Sequence, residues 1–515
     1  MYKIREIKYS TNSISIQVYQ IINRKRVVLR HIGTAHNEQE KVDLLVLAND
    51  FIEKASKQLS LFKNNQSNNI LHLNQIEFIG VYYSFLYELI SKLIIQIGFD
   101  KVNKTLLIDL VIMRMTEPAS KLRSIELLEQ YFGIKHRRQS YYDSVKDWLP
   151  LKSKVESITL SFAKKHYGFC YDILFYDVTT LYFEAFEEDE LRKNGFSKDN
   201  KSQQPQIVIG LMVTKEGFPI AYEVYSGNTF EGHTIIPIVN KFIDKNAVKN
   251  FTVVADAAMI STDNITQLKR NNINYIVGAR LGNLSHNIIE EINIKMTRED
   301  GKTIRIETEN GSLICSYSAV RYRKDKHEME KQILKANYII ENPSKNRKMK
   351  FTNSVGQNLE LNHKLIDKTN KLLGIKGYYT NMKENTISNQ TIIERYHELY
   401  KIEQAFRISK NDLKTRPVFH FKEEPIKLHL LICFMALVVA KHIELQTLVS
   451  IKKFMYECKK ITDARIINNI TNKEVRLRVD LNNKIIDSLM KLKLLTENGQ
   501  VRRMDACCTK NYRKC

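Results

Sequence analysis

The chain's 515 residues are enough for several domains, and its 80 Lys and Arg against 57 Asp and Glu leave a net charge of +23. Such an excess attracts a polyanion such as DNA, although a basic protein without a nucleic-acid partner can have the same composition. The seven cysteines are odd in number and scattered, which excludes a disulfide framework and favours a reducing compartment. Cys507, Cys508 and Cys515 lack the fourth ligand and the paired spacing of a zinc site.

The start of the chain and its apolar segments predict neither export nor a membrane partner. The opening MYKIREIKYS carries charges but no apolar centre, so we expect no secretory signal. The longest apolar run, residues 430–440, is too short to cross a bilayer and predicts a buried helix. We therefore expect a cytoplasmic protein.

Residues 1–62 predict a small β hairpin followed by a helix. Apolar residues alternate up to about residue 35, and the basic segment at residues 23–26 predicts a turn between two strands. The period becomes helical over residues 38–61. The polar residues 63–69 predict a loop.

Residues 70–165 predict a helical domain that could bind DNA. Four segments have the apolar pattern of helices: residues 76–97, 104–115, 119–132 and 141–148. A basic cluster that includes Arg137 and Arg138 precedes the last of them, where it suits DNA phosphates or the major groove. A helical domain with a solvated basic loop is an equally good interpretation.

Two acids follow short apolar runs in residues 166–282. Residues 173–176 lead into Asp177, and residues 252–255 lead into Asp256. Both runs are rich in β-branched or aromatic residues, which predicts buried strands. A carboxylate at the edge of a core stays ionised easily and can point at a cation, and hard ions such as Mg²⁺ prefer such oxygen ligands.

The patterns around and beyond these acids alternate between strands and helices. Further strands are predicted at residues 207–213, 220–225 and 275–279, with helices at 233–242 and 262–270. Residues 283–373 add strand patterns at 303–307, 312–318 and 337–340 and a charged helix at 321–335. The basic residues 345–350 are a candidate DNA contact, with a solvated charged face as the alternative.

A third acid, Glu403, lies within a basic and aromatic stripe. Helical steps of three, four and seven place five residues on one face: Tyr396, Leu399, Glu403, Arg407 and Lys410. A purely structural surface helix would more often scatter its charges in opposite-sign pairs. One acid among cations suits a site that holds a metal while its neighbours bind phosphate.

These residues resemble the DDE transposases of bacterial insertion sequences whose third acid lies in a Tyr-Arg-Glu-Lys signature. The resemblance is carried by Asp177, Asp256 and the order Tyr396, two residues, Leu399, three residues, Glu403, six residues, Lys410. Leu399 stands where the signature has arginine, and Arg407 is the candidate replacement for that charge. The segment TRPVFHF at residues 415–421 and the apolar helix that follows also resemble the family.

The resemblance implies an α/β fold: an RNase H-like core with a β-rich insertion, preceded by a small β hairpin and a helical N-terminal region. It divides the rest of the chain into a first part of the core at residues 166–282, the insertion at 283–373, the second part of the core at 374–445, and a C-terminal helical region with a basic tail at 446–515.

The resemblance also implies a reaction, cleavage at the ends of a mobile element and joining of those ends to target DNA. Asp177 is expected to bridge two Mg²⁺ or Mn²⁺ ions, with Asp256 and Glu403 each holding one. The expected partners are the double-stranded DNA of terminal inverted repeats and target sites, bound by a homodimer. The candidate DNA contacts are Tyr396, Arg407, Lys410, Lys414, Arg416, Arg137 and Arg138.

Two other functions remain as alternatives. One is a transposase relic that binds DNA but no longer cuts it. The other is a different two-carboxylate enzyme such as a glycosidase, which needs paired acids but no basic helix around one of them.

The route by which the second DNA strand is cut is a separate question. Relatives with this signature can close the cut end into a hairpin, which benefits from a flipped base stacked on an aromatic ring. The chain's one tryptophan, Trp148, lies in the helical N-terminal part. Tyr317, Tyr322 and Tyr338 are therefore the stacking candidates in the insertion, with core packing as the alternative.

Overall fold

A computed structural model describes most of the chain. The described residues are 2–10, 13–55, 76–184, 186–196, 203–246, 248, 251–259, 261–342, 349–355, 358–469 and 473–495. The predicted loop at residues 63–69, the three tail cysteines and residues 345–348 of the basic segment lie outside them. The chain forms two compact units, the first from Met1–Ser91, Glu126–Lys135 and Lys453–Cys515, the second from Lys92–Ile125 and His136–Lys452.

The strands and helices are numbered along the chain. The strands are β1 (Tyr2–Lys8), β2 (Ile14–Ile22), β3 (Lys25–Ala35), β4 (Ile76–Tyr82), β5 (Ile173–Tyr182), β6 (Gln206–Val213), β7 (Pro219–Ser226), β8 (Thr252–Ala255), β9 (Asn274–Ala279), β10 (Thr303–Thr308), β11 (Gly311–Tyr317), β12 (Thr352–Val355), β13 (Asn358–Leu361), β14 (Ile375–Thr380), β15 (Asp463–Asn468) and β16 (Lys473–Arg478). The helices are α1 (Glu38–Ala55), α2 (Ser84–Ile97), α3 (Thr105–Thr116), α4 (Lys121–Phe132), α5 (Arg138–Trp148), α6 (Leu151–Tyr167), α7 (Ile235–Asn246), α8 (Thr262–Arg270), α9 (His286–Lys295), α10 (Ala319–Glu341), α11 (His363–Leu372), α12 (Asn389–His397), α13 (Tyr400–Arg407), α14 (Glu423–Thr447), α15 (Ile451–Lys459) and α16 (Asn483–Lys491).

The first unit begins with a three-stranded antiparallel sheet, β1-β2-β3, rather than the two-stranded hairpin predicted. The predicted turn is present, because Asn23 and Arg24 have φ angles of 50° and 63° between β2 and β3. Helix α1 packs on β2 and β3, and together they bury a core that includes Ile16, Val18 and Leu47. The third strand, β1, pairs along its whole length with β2.

A second sheet of the first unit, in the order β16-β15-β4, corrects two predictions. Residues 76–82 form β4 and not the start of a helix, and the C-terminal region contains β15 and β16 beside its helices. The segment IEFIGVY is rich in β-branched and aromatic residues, which suits an extended backbone. Its partner β15 lies almost 400 residues later, so no local pattern reveals the pairing.

The second unit contains the helices that precede the central sheet. Helix α3 is buried from Leu106 to Thr116 and packs on α14. Helix α5 begins at Arg138, earlier than the predicted Tyr141. Helix α14 is long and apolar enough to cross a membrane by length and composition, yet 94% of its most apolar window is buried within the protein. This confirms the prediction of a buried helix there.

The central sheet of the second unit has eight strands in the order β10-β11-β14-β9-β8-β5-β6-β7. Strands β5, β8 and β9 are parallel, whereas β6 and β7 continue from β5 in antiparallel fashion. The predicted core strands agree with β6, β7, β8 and β9 to within two residues at each end, and the predicted helix at residues 262–270 matches α8. Strand β5 continues past Asp177 to Tyr182, so this acid lies inside a strand.

The strands of residues 283–373 are divided between the central sheet and a separate two-stranded sheet. Strands β10 and β11 join the central sheet through β14, while β12 and β13 form a small hairpin. The predicted strand at residues 337–340 is wrong, because α10 continues through it to Glu341. Ala336, the residue directly before this segment, is fully buried in a small core with Met329, Phe351 and Leu373. That core holds the segment in the helix despite its β-branched residues.

Candidate active site

The parallel pairing of β5 with β8 brings the first two predicted acids together. In this register Tyr176 lies opposite Ala255, so Asp177 and Asp256 are the next residues of two neighbouring strands. Neighbouring strands are about 4.8 Å apart. The two carboxylates are therefore held at one level of the sheet by backbone pairing, while β8 ends just before Asp256.

The third predicted acid comes from a pair of helices that pack on these strands. Helix α12 packs on β8 and β9, and α13 packs on β5 and β6. Glu403 lies in the first turn of α13 and its side chain is exposed. The predicted continuous helical stripe is interrupted here, because α12 ends at His397 and α13 starts at Tyr400. The α-helix then becomes a π-helix at Ile408–Asp412, which contains Lys410.

A polar cavity of about 400 Å³ contains all three acids. Its lining consists of Asp177, Asp256, Lys376, Tyr396, His397, Leu399, Tyr400 and Glu403. Arg407 and Lys410 are not part of this lining. The cavity thus contains the three acids and Tyr396, whereas the two cations predicted on the same stripe do not line it, although Arg407 lies one turn after Glu403 on α13.

Tyr396 is fixed against Asp256 by a hydrogen bond. Its hydroxyl donates to Oδ1 of Asp256 at 3.0 Å, and the same oxygen accepts the backbone N–H of Ala257 at 2.7 Å. Burial of the Tyr396 ring, followed by the negative charge of Asp256, raises the pKa of its hydroxyl. The hydroxyl therefore remains a donor. Gly278 leaves room for it, since a Cβ atom there would lie 2.5 Å from the Tyr396 oxygen.

Lys376 of β14 is a member of this cavity that the sequence did not indicate. Its ammonium lies 4.7 Å from the ring centroid of Tyr396 and 5.5 Å from that of Tyr378. Burial lowers its pKa, the cation Arg321 lowers it further, and the negative charges of Asp256 and Glu403 oppose that shift. One signal was available, because a lysine inside a short, otherwise uncharged strand pattern such as IKGYYT needs a local reason.

His397 and Leu399 also line the cavity. The His397 ring lies 3.2 Å from the Tyr378 hydroxyl, and burial together with the nearby Lys376 lowers the pKa of its imidazole. Leu399 is 7% exposed and contributes an apolar surface. At the position where the signature has arginine, this cavity therefore has no charge.

The three carboxylates are ligands of the type that a hard divalent cation prefers, but their oxygens do not converge on one point. Among the residues that the structure describes, no three Asp, Glu, His or Cys side chains are close enough together to hold an ion. The donors of the cavity are carboxylate oxygens from Asp177, Asp256 and Glu403, the ligand type that Mg²⁺ prefers.

Comparison with known proteins identifies the family. The family model described as the transposase DDE domain matches residues 168–439, more than half of the chain. The chain belongs to the DDE transposases. Membership implies an RNase H-like fold for the central sheet and its helices, transposase function and the use of divalent metal ions.

Other comparisons add little to the family assignment. A cryo-electron microscopy structure of the piggyBac transposase in a synaptic complex with hairpin DNA is 11% identical, covers 73% of this chain and 69% of its own, and has a TM-score of 0.37. A TM-score this low does not establish a shared fold. No curated protein matches the transposase in sequence.

The remaining predicted DNA contacts of the transposase lie at other places. Arg137 and Arg138 are exposed at the start of α5. Arg407 is exposed at the end of α13. Lys414 and Arg416 line a second cavity, apart from the acids.

The three tyrosines of the insertion differ in their exposure. Tyr317 is buried on β11, with 8% of its surface exposed, so its ring is committed to the core. Tyr338 of α10 is 55% exposed. Tyr322 of α10 is partly exposed, so Tyr338 is the most accessible of the three candidates for stacking on a base.

Replacing Tyr396 with phenylalanine tests the hydrogen bond to Asp256. Because the ring and its packing remain, we expect normal folding and a loss of about tenfold in the rate of strand cleavage, the size of one hydrogen bond to a charged group. Tyr379→Phe is the matched control, because Tyr379 is a buried tyrosine of β14, the strand of Lys376, and does not line the cavity. Equal cleavage rates for the two variants would show that the Tyr396 hydroxyl does not position Asp256.

Proposed function

We propose that the transposase cuts the ends of a bacterial insertion sequence and joins them to target DNA by metal-dependent hydrolysis and transesterification. One observation carries the proposal: the parallel register of β5 and β8 sets Asp177 beside Asp256, and α13 adds Glu403 to the same cavity. The family membership supports the class of reaction.

The three acids are proposed to hold two Mg²⁺ ions, with Mn²⁺ as a substitute. When bound, such a pair activates the attacking oxygen and stabilises the leaving oxygen of a phosphodiester. Asp177 would hold the ions together with Asp256 and Glu403, because its strand β5 pairs with β8 and packs against α13. Tyr396 holds Asp256 in place through its hydroxyl.

Lys376 is proposed to bind the phosphate that is cut. Its ammonium shares the cavity with the acids and is electrostatically coupled to Asp256 and Glu403. A positive charge there can stabilise the negative charge that develops on the phosphate oxygens. Leu399 lacks the positive charge of the signature's arginine. We propose that Lys376 supplies this charge, a role that the sequence assigned to Arg407.

The proposed partners are double-stranded DNA at the terminal inverted repeats and at the target, bound by a homodimer in the cytoplasm, close to the nucleoid. The net charge of +23 supports a polyanionic partner. Arg407, Arg137 and Arg138 are exposed and suit phosphate contacts outside the cavity.

A relic that binds DNA without cutting it is the second candidate, and Leu399 is the observation that favours it. The signature's arginine is missing, and the cavity has no charge at this position. Two observations argue against this candidate: the three acids line one cavity, and a hydrogen bond fixes Asp256. A glycosidase is disfavoured, because Lys376 places a cation among the acids.

Metal-dependent cleavage separates these candidates. Purified protein is incubated with labelled duplex DNA that carries the sequences flanking its own gene, with Mg²⁺ or with EDTA. The proposal predicts cuts at discrete positions in Mg²⁺ and none in EDTA. A relic would retard the DNA on a native gel without cutting it, and a glycosidase would do neither.

The salt dependence of DNA binding tests the basic residues that follow Glu403. If Arg407 and Lys410 each neutralise a phosphate, Arg407→Ala and Lys410→Ala should each reduce the slope of log affinity against log salt by about one unit. The change should be the same for specific and random duplexes. Lys484→Gln, an exposed cation of α16 in the other unit, is the matched control. Unchanged slopes in both alanine variants would mean that the stripe is a solvated face.

A further inference from the structure

A second cavity, of about 540 Å³, lies in the same unit as the acids but shares no lining residue with their cavity. It is formed by the start of α4, the N-terminal part of α5 and the segment after the π-helix. Its lining consists of Arg114, Pro118, Ala119, Ser120, Lys121, Leu122, Arg123, Tyr141, Tyr142, Lys414, Arg416, Pro417, Phe419, His420 and His429. Its volume is in the range of pockets that hold small organic ligands, about 300 to 1,000 Å³.

The lining combines five Lys and Arg side chains with no acid. Lys121 is 3% exposed, and burial followed by the charge of Arg114 lowers the pKa of its ammonium. Burial and the same positive charges lower the pKa of the two histidines in the lining, His420 and His429. Burial, then the charges of Lys121 and Arg114, lower the pKa of His420 to about 4, so it is neutral at pH 7. An anion would relieve this repulsion between buried cations.

Two buried donors in the lining have no hydrogen-bond acceptor among the described residues. Arg114 is 4% exposed and donates from Nη2 to the carbonyl of Ala119 at 2.8 Å, but its Nε–H has no partner. The hydroxyl of Tyr141, a residue 1% exposed, has none either. Buried donors without acceptors are rare and costly, and phosphate oxygens would satisfy both.

Aromatic rings stand at the rim of this cavity. Tyr142 is 52% exposed and Phe419 is 60% exposed. The rings of Tyr141 and His420, which also line the cavity, are stacked with their centroids 6.3 Å apart. Exposed rings next to buried cations match the two halves of a nucleotide, because bases stack on aromatic faces and phosphates pair with cations.

The strand that carries Asp177 connects this cavity to the acids. The guanidinium of Arg416 lies 5.6 Å from the ring centroid of Tyr182, at the end of β5. Asp177 is five residues earlier on that strand, which corresponds to about 17 Å of extended chain. A DNA strand held at the acids could therefore reach the basic cavity within a few nucleotides.

We propose that this cavity binds one unpaired nucleotide of the DNA substrate, its phosphate against Arg114 and Lys121 and its base against Tyr142 and Phe419. The identity of the ligand as DNA rests on the proposed function, but the site itself is a property of this chain. It lies in the helical part of the unit rather than in the insertion, and a nucleotide held there leaves the double helix near the cut.

Binding of single-stranded DNA in the absence of metal tests the proposal. The probe is a fluorescein-labelled oligothymidylate of about twelve nucleotides, measured by anisotropy in EDTA against a duplex of equal length. Because Tyr142 and Phe419 are exposed, the double variant Tyr142→Ala, Phe419→Ala should fold normally. It should bind the single strand about tenfold more weakly and the duplex as the wild type does. Tyr456→Ala, an exposed aromatic residue of α15, is the matched control.

A charge variant keeps the test independent of the aromatic residues. Lys414→Gln removes an exposed cation of the lining and should lower the salt slope for the single strand by about 0.7 units. Equal affinity of the double variant and the wild type for the single strand would overturn the proposal. Displacement of the oligonucleotide by inorganic phosphate at matched phosphate concentration would overturn it too, since the cavity would then recognise an anion without a base.

The outcome is separable from that of the proposed function. If the double variant binds single strands and cuts DNA as the wild type does, while Asp256→Asn abolishes cleavage, the cavity is refuted and the proposed function stands. If the wild-type protein binds single strands through the cavity but never cuts the element ends, the cavity proposal stands and the proposed function is refuted.

Discussion

Asp256→Asn is expected to slow strand cleavage by at least about a thousandfold, since a lost metal ligand removes several kcal/mol of stabilisation from the transition state. DNA affinity should stay unchanged, because the amide has the same shape and keeps its hydrogen bond from Ala257. Asp177→Asn and Glu403→Gln should have effects of the same order. Single-turnover cleavage of end-labelled DNA measures the rate, and a native gel measures the affinity.

Asp172→Asn is the matched control for these amide variants. Asp172 directly precedes β5, with an exposed side chain 4.0 Å from Lys215. Its amide should cut DNA at the normal rate. If Asp256→Asn also cut at the normal rate, Asp256 would not be a ligand of the catalytic metal, and the assignment of the three acids would be wrong.

Lys376→Gln is expected to slow cleavage by about a hundredfold, the lower range for removal of one group that stabilises charge in a transition state. The ammonium lies against the rings of Tyr396 and Tyr378 in the cavity of the acids. Glutamine keeps the length of most of the side chain but removes the positive charge. The same single-turnover assay measures the change, while circular dichroism verifies the fold.

Lys376→Arg should retain most of the activity, because it keeps the charge in the same place. Lys302→Gln is a control for the loss of one positive charge, since Lys302 is exposed in the turn before β10. A Lys376→Gln protein as active as the Lys302→Gln protein would remove Lys376 from the catalytic site. Arg407 would then again be the candidate for the missing arginine of the signature.

Local patterns were sufficient for the parts of the fold that contain the acids. The β-branched runs before Asp177 and Asp256 and the periodic pattern of α8 predicted their elements correctly, because each segment is short and fully buried or clearly amphipathic. Tyr396 was predicted on one continuous helix with Glu403, but the helix that carries it ends before Glu403, and its hydroxyl binds Asp256. The catalytic roles of these residues stay predictions.

Long-range pairing explains what the sequence could not show. In the sequence, residues 76–82 look like the start of the helix that follows them. Only their pairing with β15, from the far end of the chain, makes them a strand. Lys376 is marked in the sequence only as a charge within a short strand pattern, and the packing of β14 beside β9 is what places it among the acids. Arg407 lies one helical turn after Glu403 on α13, as the stripe predicts, yet it does not line the cavity, which the sequence pattern could not show.

Counting bound Mn²⁺ ions tests the central claim most directly. Electron paramagnetic resonance follows the titration of Mn²⁺ into the protein bound to DNA with pre-cut element ends, and into the Asp256→Asn variant in the same state. The account predicts two ions per catalytic cavity in the wild type, with at least one of them lost in the variant. Equal Mn²⁺ binding by both proteins, together with DNA cleavage that persists in EDTA, would contradict it.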